Sequence, residues 1–225
     1  SKRSFLRFKR EAFHFDPKIV GNILSIGLAP FLMNICASMV AAFVNTAMLQ
    51  FGGLGAHDIV PREQGAADLY VGAYGIVNRV ALLFIMVVQG LNQGMQPIVG
   101  YNYGAKQYSR VKEVFWMTAK LGTAVTCICF IIGMFFPRAA VGIFTHDEAL
   151  MEMASHGLRI LVIGFPIVGF QMIGTNFFQS LGMVKKSVIL SLSRQILFLL
   201  PLIYALPKWY GADGVWASFP ISDVL

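Results

Sequence analysis

Acidic side chains are scarce in this chain, 11 in 225 residues against 18 lysines and arginines, and the sequence places all of them, from Glu11 to Asp223, near the ends of apolar runs or in loops. No carboxylate pair, no Ser/His/Asp grouping and no H-x-x-x-H motif is present, and His14, His57, His146 and His156 are scattered over loops and run ends. Hydrolytic and metal-assisted catalysis have no visible machinery, so the chain is not expected to be an enzyme or to hold a metal or cofactor. Cysteine is rare as well. Cys36, Cys127 and Cys129 are odd in number and all fall inside apolar runs, which argues against a disulfide framework and leaves them as small packing residues.

Apolar surface fills the space that charge leaves. Hydrophobic residues make up 56% of the chain and charged ones 13%, and the mean hydropathy of +0.66 is well above that of soluble domains. Runs 19–54, 71–99, 114–136, 158–181 and 184–206 are each long enough to cross a hydrocarbon core of roughly 30 Å at about 1.5 Å per residue. A last run, 214–225, is too short to cross and reads as the start of a sixth span. The first run is far too long for the apolar stretch of a signal peptide. The expected fold is therefore an all-α membrane protein, a multi-span helical bundle, and the chain reads as an internal fragment of a larger one.

The basic residues give an orientation. Lys2, Arg3, Arg7, Lys9, Arg10 and Lys18 precede the first span, Lys106, Arg110 and Lys112 follow the second, and Lys185 and Lys186 follow the fourth. The opposite loops hold Arg62, Arg138 and Lys208 near their centres. The positive-inside rule then puts the amino terminus in the cytoplasm of a multi-pass protein of the plasma (inner) membrane. Topology accounts for the net charge of +7, and nucleic acid is not an expected partner of the basic head.

Four spans carry an internal proline: Pro30, Pro97, Pro166 and Pro201. Each removes a backbone bond and kinks its helix, a feature that either merely reflects membrane composition or serves bending. Polar residues recur on one edge of four spans: Asn34, Ser38 and Asn45 on the first, Asn78, Gln89, Asn92, Gln93 and Gln96 on the second. Gln171, Thr175 and Gln179 do the same on the fourth, and Ser187, Ser191 and Arg194 on the fifth. Lipid offers such groups no partners, so they turn towards other helices as packing glue or towards a wet cavity. Arg79 and Arg194 lie several turns inside their spans, where an arginine marks function unless it snorkels to the interface. With no carboxylate in view, the counter-charge of either one, if it is buried, is expected from outside the chain or from bound substrate.

The stretch QPIVGYNYGAKQYSRVK (96–112) resembles the multidrug and toxic compound extrusion (MATE) family of cation-coupled exporters. So do ILSIGLAPFLMN, AYGIVNRV, NFFQSLGMVKKS, LSLSRQILFLLPLIY and GADGVWASFPISD, in this order and spacing over nearly the whole chain. The resemblance implies a twelve-span, two-lobed transporter of which this chain is the carboxy-terminal six-helix lobe, its last helix truncated. It implies that the Gln89–Gln96 face lines a central cleft, that Pro97 ends the buried helix, and that Gly100 and Gly104 turn the chain into a surface helix. Lys106, Arg110 and Lys112 would hold that helix to anionic headgroups. The family's acidic positions fall here on Ser38 and near Gln171, so the coupling ion, H+ or Na+, is expected to bind in the absent amino-terminal lobe. Met33, Met39, Met48, Met86 and Met95 would give an adaptable wall for an organic cation or another amphipathic small molecule. Other partners implied are membrane lipid and the absent lobe. A flippase of lipid-linked saccharides on the same fold and a non-transporting membrane scaffold are the alternatives.

Overall fold

The computed structural model describes residues 16–52 and 66–224, and all of their regular structure is helical. The basic head and the loop that holds Asp58 and Arg62 lie outside the described residues. Asp16 starts α1 (Pro17–Phe51) by accepting the backbone N–H of Lys18 at 2.8 Å, with Pro17 in the first turn where its missing N–H costs nothing.

The second helix departs from the sequence reading. α2 runs unbroken over Ala66–Gly104 with Pro97 inside it, so Pro97 does not end the helix and Gly100 lies within it. Inside a bundle the backbone group freed by a proline can be met by neighbours, and the axis continues. The chain then reverses within three residues, where Lys106 adopts a φ of 57° and the Gln107 N–H bonds to the Asn102 carbonyl at 2.9 Å. α3 (Tyr108–Phe135) begins at once, so Arg110 and Lys112 stand on the first turns of a long helix and not on a separate surface helix.

After the short α4 (Pro137–Gly142), the fourth run divides into α5 (Glu148–Val162) and α6 (Phe165–Ser180), bent by 58° at the break between them. Asp147 caps α5 by accepting the Leu150 N–H at 3.0 Å. The fifth run is likewise interrupted. α7 (Val184–Leu192) widens into a π-helical turn, Ser193–Leu199, before α8 (Leu200–Ala205). The last element, α9 (Pro207–Val224), joins two helical pieces across a kink at Gly211, whose φ of 59° and ψ of −138° suit only glycine, so the piece that carries Asp223 begins just past residue 211.

Four stretches are long and apolar enough to cross a bilayer: Pro30–Phe51, Asp68–Gly104, Tyr108–Phe135 and Ser187–Ala205. The bent α5/α6 pair makes a fifth when counted as one span. Large apolar side chains such as Ile23, Leu24, Phe43, Leu83 and Phe135 point outward, as they do where the solvent is lipid. The interior holds two clusters. The larger packs Val44, Met48, Val77, Met153, Leu158 and Trp216 between α1, α2, α5 and α9; the smaller packs Val88, Met95, Val99 and Ile173 between α2, α3 and α6.

Candidate functional site

The polar edge of α1 is exposed at Asn34, Ser38 and Asn45. Its hydrogen bonds stay within the helix: the Asn34 side-chain amide donates to the Pro30 carbonyl at 2.8 Å, and the Ser38 hydroxyl to the Asn34 carbonyl at 3.0 Å. Donors four residues along a helix reach back in this way when no neighbour competes for them. Phe31, Asn34, Ile35, Ser38, Met39 and Ala42 together line a shallow depression of about 450 Å³. On α2, Asn78, Arg79, Gln89 and Gln93 are also exposed, and Gln96 is half-buried. Among the described residues no carboxylate lies within ion-pair distance of Arg79.

Asn92 does not belong to that edge. It is 1% exposed and neither of its amide atoms finds a partner among the described residues, so it faces the α2–α3–α6 packing and not an open surface. Met48 and Met95 are also in the core, whereas Met39 and Met86 are exposed and Met33 is half-buried.

Residues from separate spans do meet. Gln96 and Gln179 share a cavity of about 440 Å³ with Pro97 and Ser180, where the ends of α2 and α6 adjoin. Thr175 serves through its backbone: its carbonyl accepts the Ser187 hydroxyl at 3.1 Å, tying α6 to α7. Gln171 and Arg194 line a third cavity, about 640 Å³, with Phe115, Phe170, Phe177 and Phe198 around them.

Arg194 has a partner within the chain. Its guanidinium hydrogen-bonds the carboxylate of Asp223, which overturns the expectation that its counter-charge comes from outside. Asp223 lies about 12 residues, or about 18 Å of rise, beyond the Gly211 kink of α9. The wide turn that carries Arg194 and the kink at Gly211 have no signature that a hydropathy reading detects. A second contact missed from sequence is the hydrogen bond between His156 Nε2 of α5 and Asp213 Oδ1 of α9, 2.8 Å long. Among the described residues no three His, Cys, Asp or Glu side chains converge as metal ligands.

A family model, MatE, matches residues 65–205, well over half of the chain. The chain belongs to the MATE family. Multidrug export protein MepA of Staphylococcus aureus (strain bovine RF122 / ET3-1) is 22% identical over 210 residues, which are 93% of this chain and 43% of that protein. MepA of Staphylococcus saprophyticus subsp. saprophyticus is 20% identical over 208 residues, 92% and 42% of the two. An outward-facing multidrug resistance MATE family transporter of the MOP superfamily superposes with a TM-score of 0.83 at 19% identity, over 99% of this chain and 47% of that one. The MATE multidrug transporter DinF-BH superposes with a TM-score of 0.75 at 36% identity, over 94% and 45%. The chain thus spans less than half the length of the MATE relatives it matches, and its bundle corresponds to about half of their two-lobed fold.

Proposed function

We propose that this chain forms one lobe of a MATE exporter that moves drug-like or toxic organic compounds out across the plasma membrane by alternating access, in exchange for H+ or Na+. The carrying observation is the outward-turned edge of α1 and α2, where Asn34, Ser38, Asn45, Asn78, Arg79, Gln89 and Gln93 stay exposed and make no bond to another helix among the described residues. A bilayer would penalise such an edge, so it faces a second lobe across a wet cleft. Exposed Met39 and Met86 on the same two helices supply the soft apolar contact that varied substrates need.

An exporter fits better than a flippase of lipid-linked saccharides. Holding a pyrophosphate calls for several free cations, and here Arg194 is already neutralised by Asp223.

The full-length protein in sealed vesicles should accumulate or expel a fluorescent organic cation when a proton or Na+ gradient is imposed, and should not do so without one. Flux equal to that of protein-free vesicles under both gradients rejects the reading.

A further inference from the structure

The exporter reading leaves Asp223 without a task, although its carboxylate lies against two interruptions of regular helix at once. It pairs with Arg194 on the π-helical turn Ser193–Leu199. It stands against the α5/α6 break, since a Cβ on Gly164 would lie 2.8 Å from Asp223 Oδ2 and 3.2 Å from the Pro220 Cα. Places where a backbone ladder is broken are where bundles bend.

The pair is unequally buried: the Asp223 side chain is 8% accessible and that of Arg194 28%. Two charges withdrawn from water are costly to keep, and Arg194 lies inside the membrane-long stretch Ser187–Ala205. If Asp223 takes up a proton, Arg194 is not stranded, because it still reaches the cavity that Gln171 and Ser193 line. Few other charges compete. α6 carries no ionisable residue, α8 carries Tyr204, α1 carries Lys18 in its first turn and Cys36, α5 carries Glu148, Glu152, Arg159 and His156, the last against Asp213, and α9 itself carries Lys208, Tyr210 and Asp213.

We infer that Asp223 is a proton-exchanging carboxylate of this lobe, with Arg194 as its internal counter-ion, and that protonation unfastens α9 from the wide turn beside the α5/α6 break. One proton adds to a carboxylate oxygen and the guanidinium keeps its charge. The inference rests on the exporter reading for its place in a cycle, but not for the titration itself.

Two measurements on the purified full-length protein separate the two. Melting temperature is followed between about pH 5 and about pH 9 for the wild type, Asp223→Asn, and the double variant Arg194→Met with Asp223→Leu. The double variant replaces the pair by apolar groups of similar volume and keeps the test alive if the single variant fails to fold. The wild type should show a pH-dependent step that both variants lack, and vesicle export should lose at least about tenfold of its pH dependence in Asp223→Asn. A variant melting curve that runs parallel to the wild type across the range overturns the inference. Absence of export in every protein, with the melting step present, instead sinks the exporter reading and leaves the titration standing.

Discussion

The backbone of Gly157 on α5 lies directly against the indole of Trp216 on α9: a Cβ at Gly157 would stand 2.6 Å from both Cε2 and Cζ2. Trp216 is 1% exposed and also packs against Tyr74, with ring centroids 5.9 Å apart, so the indole has nowhere to retreat. Membrane helices associate where small residues let backbones approach. Gly157→Leu should therefore cost about 1–3 kcal/mol, read as a fall in the melting temperature of the purified protein. An unchanged melting temperature would show that α5 and α9 slide apart freely.

Asn92 offers the opposite expectation. A buried amide with no partner costs its desolvation and returns nothing, so Asn92→Leu should leave stability unchanged or raise it by about 1 kcal/mol. Asn92→Asp, which buries a charge in the same place, should lower it sharply. A clear loss on Asn92→Leu would reveal a hydrogen bond that the packing does not display.

Arg79 and Gln93 stand on the exposed edge of α2. Replacing either with leucine should leave membrane insertion intact and reduce export of an organic cation by about tenfold or more. The check is flux per inserted protein in vesicles. Wild-type flux from correctly inserted variants would mean that the edge meets lipid headgroups or another helix and not substrate.

Pro97 lies inside an unbroken helix. Pro97→Ala should preserve the bundle, because the new N–H completes a ladder that is already helical on both sides, and should stabilise it by about 1–3 kcal/mol. If the proline instead serves bending, export falls while the melting temperature rises. Melting and flux recorded on the same preparation separate these outcomes.

The α2–α3 turn at Lys106 and the α8–α9 junction at Lys208 lie at opposite ends of the bundle in the orientation read from charge. A single cysteine at Lys106 should react with a membrane-impermeant thiol reagent only from the cytoplasmic side, and one at Lys208 only from outside. The reverse pattern would invert the topology.

Hydropathy and amide spacing make the helices and the exposed edge of α1 and α2 legible in the sequence. Length and composition are enough to locate a helix that must satisfy its own backbone in lipid. Depth and register are not legible in the same way. Arg194 reads as unpartnered because nothing in the spacing places it beside Asp223, 29 residues on, across a wide turn and a glycine kink that no apolar count reveals. Asn92 and Gln93 are neighbours in sequence, yet one is buried and the other exposed, because the boundary of a helical face is drawn by α3 and α6 and not by the 100° rule alone. The division of the fourth span at Gly164 is equally silent, since GFP reads the same whether the axis bends slightly or by 58°.

The widened turn at Ser193–Leu199 has a mechanical corollary. One surplus residue there gives the upstream half of the span a rotation of about 100° relative to an ordinary ladder. Deleting a single residue, such as Ile196, would turn α7 by that amount and carry the guanidinium away from Asp223. The lobe's electrostatic lock thus depends on a one-residue surplus of chain length.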